Sequence, residues 1–482
     1  MRPTRVLLAR VVGIPTSFSR WLTRLLVVVL ALATVAATAQ ATPRRSTTTA
    51  LAALPPGNTV AQWNQITEDT VVGVGMLADE GFIYMAYVSA AVYDAVVAIE
   101  GGFEPYGPAI NAPAGASLDA AVVEAAYRTL WAYFPPESCN PASPPAVYAF
   151  CLGVRPRLDA FYEEALASIL DGPAKKHGQM VGRGAAKNII ALRSDDGRIT
   201  PIGVTSSFPT MPPGPGVWRL TPPFAAPRTP WVGNVEPFVL RSLDQFLPDS
   251  PPSLQSEHWV AAFDEIKAYG AATGSARTDE QTAVAKFWSA NVVRQYNRVG
   301  RDLSGAGTNL LEAARLLAMI NLVGADALMS GLHAKYHYLF WRPVTAIDPT
   351  AVTADGFGPV PGYDDGNAAT VEETGWRPLL TTPNHPEYPA AHGVITSAMA
   401  GVFSSFLGTN QIGLDIHGFD PAGPPGNLDK TEHFDTAADL RQEIIDARLW
   451  AGLHYRFSSV AGVVLGGNVA EYDLRHALRP SD

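Results

Sequence analysis

The sequence predicts an all-α protein: one large helical domain, with two helical bundles sharing an interface as the alternative, crossed by long Pro/Gly-rich loops. Three observations predict it. Ala-rich apolar stretches recur along the chain, no strand alternation runs longer than a few residues, and no internal repeat of fixed period appears. With 482 residues, 47% hydrophobic and only 17% charged, the chain is too apolar to stay disordered and long enough to bury a sizeable core.

The N-terminal 41 residues carry five arginines and no acid, then an apolar run over 25–37 and small residues around Ala37, Ala39 and Ala41. This is the pattern of a secretory signal peptide. A retained anchor is the alternative, but the apolar core falls short of the ~20 residues that a span needs. No later stretch reads as a membrane span. Residues 42–57 read as a flexible lead-in and 58–482 as a single helical domain. Removing the five arginines takes the net charge from −10 to about −15. So acidic a chain is unsuited to nucleic acid or an anionic membrane, and any site that gathers cations in it is there for an anion.

Residues 83–99 are apolar all round without glycine or proline, which suits a helix buried in a large core; such a helix would also suit a homodimer. Further helices are expected at 117–133, 157–170 and 175–193. Cys139 and Cys151 lie between them in a Pro-rich connection. In an exported chain a disulfide is expected there, with two free buried thiols as the alternative. Residues 201–237, dense in Pro and Gly and holding Trp218 and Trp231, read as an ordered loop over the helical body. Helices resume near 255–270, 277–292, 308–332 and 333–341. An irregular stretch, 348–389, precedes helices at 390–406 and 436–455 and a shorter one after Gly462.

Three segments, all within 330–460, carry the chemistry. Lys335 and Arg342 are seven residues apart, about two helical turns, so one helix ended by Pro343 would place both on one face. In an aromatic-rich stretch they form a dry clamp for an oxyanion. Pro389 then opens a helix whose first-turn N–H groups, including those of Ala390 and Ala391, face an anion at the positive dipole end, with His392 in reach as acid or base. Arg448 and His454 are six apart, an offset of about 120° on an ideal helix, so they converge only through a long arginine or a bend at Gly452.

Together, Lys335-x6-Arg342-Pro343, Pro389-x-x-His392 and Arg448-x5-His454 resemble the signature of the vanadium-dependent haloperoxidase and type 2 phosphatidic acid phosphatase superfamily. Gly101-Gly102-Phe103-Glu104-Pro105-Tyr106, Gly216-Val217-Trp218-Arg219 and Arg277-Thr278-Asp279-Glu280-Gln281 resemble its bacterial haloperoxidases, and the resemblance spans about residues 60–475. It implies that Lys335, Arg342 and Arg448 neutralise a bound vanadate, with phosphate able to compete. It implies His454 as the axial vanadium ligand, or the nucleophile of a phosphatase, and His392 as the acid–base histidine. His385 matches a position beside the halide and resembles the bromide-type members. The substrates implied are hydrogen peroxide, a halide (bromide before chloride) and an organic acceptor. The chain departs from the pattern at Ala390 for Ser, Ala391 for Gly, Ala447 for Ser, and Ser458 for the Asp that orients the histidine in phosphatases. These departures favour a peroxidase over a secreted acid phosphatase with a phosphohistidine intermediate. A non-catalytic oxyanion-binding protein is the third reading.

Overall fold

A computed structural model describes residues 53–305, 308–351, 364–418 and 430–481. The expected signal peptide lies outside them, as does most of the lead-in. Helices start where the sequence supplies capping side chains. Asn58, Ser117, Ser256, Asn291, Asn309 and Thr436 each accept a bond from a first-turn N–H, and Thr278 with Gln281 forms a capping box.

In chain order these are α1 (Thr59–Gly73), α2 (Ala78–Glu100), α3 (Leu118–Tyr133), α4 (Pro145–Leu152), α5 (Val154–Ala167), α6 (Pro173–Leu192), α7 (Glu257–Gly270), α8 (Asp279–Phe287), α9 (Val292–Leu303), α10 (Leu310–Tyr338), α11 (Pro343–Ile347), α12 (Ala391–Leu407), α13 (Ala437–Trp450) and α14 (Arg456–His476). The all-α expectation holds, and the differences are local. The expected helix at 277–292 is two, because Asn291 caps a fresh start. The expected pair at 308–332 and 333–341 is one helix of 29 residues. The last helix begins before Gly462, at Arg456. A two-stranded antiparallel hairpin, β1 (Gln411–His417) with β2 (Thr431–Thr436), was not expected. Its signal is a short alternation in which Ile412, Leu414 and Ile416 are buried and their neighbours are not.

Helices α2 and α10 are long and apolar enough to cross a membrane, contrary to the sequence expectation, but both are packed inside the protein. They form the centre of the main core, α10 lying against α2 and α12. Helix α12 packs on α14 at backbone distance: a Cβ on Gly466 would stand 1.9 Å from the Val394 carbonyl oxygen. Only glycine admits that approach, and it brings the start of α12 beside the start of α14. Cys139 and Cys151 are joined in a disulfide.

A second cluster, aromatic and smaller, holds Trp259, Phe340, Trp341, Tyr388, Tyr455 and Phe457. Trp259 and Trp341 stack at 5.9 Å, as do Tyr455 and Phe457 at 5.3 Å. All but Trp259, which α7 supplies, belong to or adjoin the segments that carry the motif cations and histidines, so these rings wall that end of the bundle with apolar surface. The 201–237 loop closes over it as expected. Trp218 N–H donates to the Leu339 carbonyl, Trp341 N–H to that of Gly216, and Trp231 Nε1 to that of Val204.

Candidate active site

Lys335 sits in the last turn of α10, fully buried, its Nζ donating to the Pro386 and Glu387 carbonyls at 2.9 Å each. Arg342 is not on that helix. Helix α10 stops at Tyr338, Leu339 turns left-handed at φ 48°, and Arg342 is the N-cap residue of α11. The shared-face argument therefore fails. The chain instead reverses at Leu339 and delivers the guanidinium to the same place. Its Nε and Nη2 donate to the His385 carbonyl at 3.0 and 2.8 Å, and Nη1 donates to the Leu453 carbonyl at 2.9 Å.

Arg448 and His454 converge through a bend at Gly452, one of the two routes that the sequence left open. Helix α13 ends at Trp450, and Gly452 takes φ +75° in the turn that follows. A Cβ there would stand 2.4 Å from the Gly270 carbonyl oxygen, so the turn demands glycine on two counts. Arg448 donates from Nη1 to the Trp288 carbonyl at 3.0 Å, while its buried Nε has no partner.

The motif segment 384–392 departs from expectation at its start. Ala390 N–H is not free for an anion: it donates to the Ser458 carbonyl at 3.1 Å, because Ala390 precedes the helix and ties α12 to α14. The open groups are those of Ala391, His392 and Gly393, the first turn of α12, above which Ala390 offers no capping side chain. His392 is half-buried. Its imidazole is held well below its ordinary pKa by burial and then by Arg448, Lys335 and Arg342, so the ring is neutral at pH 7. His385 is likewise held low, by burial and then Lys335 and Arg342. Its Nδ1 lies 3.0 Å from Arg342 Nη2, an obligate donor, and 3.1 Å from the Pro386 carbonyl oxygen.

The partner of His454 came from an unexpected place. Its Nδ1 lies 2.9 Å from Glu387 Oε1, and its Nε2 lies 3.2 Å from Arg342 Nη1. A carboxylate only accepts and a guanidinium only donates, so Nδ1 carries the proton and Nε2 the lone pair. The sequence reading sought an orienting carboxylate at Ser458, found none, and missed Glu387. The signal was present: an acid three residues before Ala390, between two prolines, inside the motif loop.

The electrostatics are lopsided. Lys335, Arg342 and Arg448 are all buried, and among the described residues Glu387 is the one carboxylate bonded within the site. Burial first, then Arg342, drives Lys335 well below its ordinary value; burial brings Arg342 to about 10, and burial with Arg342 beside it brings Arg448 to about 9. Burial pushes Glu387 up to about 7 against the pull of Arg342 and Lys335. Three dry cations against one acid, with an orphaned Arg448 Nε and an open helix start, form a site short of negative charge. A tetrahedral oxyanion bound there would supply it.

The chain is similar to known proteins. Residues 315–482 match the family described as the VCPO second helical-bundle domain. The vanadium chloroperoxidase of Curvularia inaequalis is 24% identical over 323 residues, 55% of this chain and 51% of that protein. The resemblance to the vanadium haloperoxidases holds. The chain spans about half the length of that curated haloperoxidase. Among solved haloperoxidase structures, the first bacterial vanadium-dependent iodoperoxidase shares the fold at a TM-score of 0.66 and 18% identity, covering 89% of this chain and 100% of its own. A holo-type bacterial vanadium-dependent chloroperoxidase follows at 0.59 and 16%, covering 88% and 97%. The haloperoxidase fold therefore underlies all the site segments just described.

Proposed function

We propose that the chain is an exported, vanadate-dependent haloperoxidase, oxidising a halide with hydrogen peroxide to a hypohalous acid equivalent, which an organic acceptor consumes. The observation that carries this is the set of three buried cations around a histidine whose Nε2 is kept unprotonated, its lone pair turned toward Arg342 Nη1. These residues fit vanadate: the cations would balance its charge, the first turn of α12 would offer N–H groups to its oxygens, and His454 Nε2 would ligate the metal. Bound vanadate would supply a Lewis-acidic centre that makes peroxide electrophilic without a change of oxidation state. His392, with its imidazole held low by burial, would act as the base that takes a proton from hydrogen peroxide. Lys335, Arg342 and Arg448 stabilise negative charge where it develops, and the aromatic wall keeps bulk water from screening them.

His385, anchored by Arg342 at the edge of the site, supports bromide ahead of chloride as the halide. The disulfide supports an exported chain.

A second reading, a phosphatase with His454 as nucleophile, gains from one observation. The sequence argument against it was the missing carboxylate partner, and Glu387 supplies that partner. One assay separates the readings: purified protein with orthovanadate, peroxide, bromide and a halogenation dye. Vanadate-dependent bromination that His454→Ala abolishes is the expected result. No bromination together with hydrolysis of a phosphomonoester would move the function to the phosphatase, and inactivity in both to an oxyanion-binding protein.

A further inference from the structure

Glu387 is held by more than its bond to His454. Its carboxylate Oε1 accepts from His454 Nδ1 at 2.9 Å and from the Tyr455 backbone N–H at 3.1 Å, gripping two consecutive residues. Its own N–H donates to the Phe340 carbonyl, and its carbonyl accepts from Lys335 Nζ. One residue thus fixes the histidine ring relative to the end of α10 and to a motif cation. Its other oxygen, Oε2, is buried and accepts no well-formed hydrogen bond, with the Ser458 hydroxyl beside the carboxylate. A half-satisfied buried carboxylate is a poor structural element, because each unpaired buried acceptor costs about 1–3 kcal/mol. Groups of this kind are retained where chemistry needs them.

We propose that Glu387 is the positioning residue for His454, a carboxylate brought from the loop before α12 rather than from Ser458 on α14, and that it gives the site its preference for vanadate over phosphate. The two anions share shape and charge, so the three cations and the helix start bind both alike. They differ in that vanadium accepts an additional bond from nitrogen and phosphate bound as an anion does not. A carboxylate on the far ring nitrogen fixes the ring and strengthens the nitrogen's donation to a metal, the effect that second partners have on metal-bound histidines. Glu387 therefore acts on vanadate through His454 Nε2 and leaves phosphate to the cations.

This rests on reading the site as one for a tetrahedral oxyanion, and the test keeps the two claims apart. Orthovanadate and orthophosphate are titrated calorimetrically into the metal-free full chain and into Glu387→Gln, which keeps the shape and drops the charge. The expected result is a 10- to 100-fold loss of vanadate affinity, with phosphate affinity unchanged or tighter because one negative charge has gone. Adding Ser458→Asp to Glu387→Gln is expected to recover vanadate affinity, since Ser458 Oγ already lies 3.5 Å from the Glu387 carbonyl oxygen. Glu387→Asp, which keeps the charge and shortens the reach, is expected to lie between the two and serves if Glu387→Gln does not fold. Equal weakening of both anions, or no change in either, would overturn the positioning role while leaving the oxyanion site standing. A parent chain that binds neither anion would overturn both.

Discussion

Arg448 shows at the scale of one side chain how function and stability oppose each other. It is buried, repelled by Arg342, and bonded by Nη1 to a carbonyl while its Nε has no partner. In the anion-free protein that charge is a burden; with an oxyanion bound it is a ligand. Arg448→Met should therefore raise the melting temperature of the metal-free protein and weaken orthophosphate binding by about 2 kcal/mol or more, roughly thirtyfold in Kd. Calorimetry and thermal melts read both. Glu80 provides a second case, away from the site. It is buried, its Oε1 accepts from Gly203 N–H, and burial pushes its pKa up to about 7. An acid with a raised folded-state pKa binds its proton more tightly folded than unfolded, so stability is lost as pH rises from about 4.5 to about 7. Glu80→Gln should therefore be nearly neutral at pH 4.5 and stabilising at pH 8, by at most about 3 kcal/mol. An equal effect at both pH values, by denaturant unfolding, would contradict this.

Among elements, the turn after α13 and the contact between α12 and α14 decide whether the motif segments meet. Gly452 carries φ +75° with the Gly270 carbonyl oxygen 2.4 Å from where a Cβ would be, whereas Gly408 carries φ +69° with nothing within 4 Å. Gly452→Ala should lose more stability than the 1–2 kcal/mol that a left-handed alanine costs, and should weaken phosphate binding by moving His454 away from Arg448. Gly408→Ala should show the backbone cost alone and bind phosphate normally. Melts and titrations on the pair separate strain from function. At this scale the sequence was readable where periodicity or a breaker decided the structure: α2, α3, α6, α12 and Gly452 as one of two ways to bring Arg448 and His454 together. It was not readable where one residue changed direction. Nothing local marks Leu339, which is apolar and yet left-handed, as the end of α10, so Arg342 was placed on the wrong element and still in the right site. Glu387 was visible as an acid in the motif loop but its role was not, since its partner lies 67 residues further along and only the fold brings the two together.

Across the whole molecule, an acidic chain encloses a small cationic interior. The site lies on segments from α10 to α14, and the Cys139–Cys151 disulfide lies in the N-terminal half. Its closed loop is short, with 12 residues of separation, worth about 3 kcal/mol in the chain-entropy view. Reduction should lower the melting temperature and leave anion affinity at a permissive temperature unchanged. Coupled loss of both would mean that the helical body is not stable enough to hold the site without it. The central claim is that Lys335, Arg342, Arg448 and His454 form one oxyanion site that takes vanadate. Crystals of the protein soaked in orthovanadate test it most directly. The account predicts one vanadium per chain, bonded to His454 Nε2 with its oxygens facing Lys335, Arg342, Arg448 and the first turn of α12; vanadium bound elsewhere, or density that leaves His454 Nε2 without a metal bond, would contradict it.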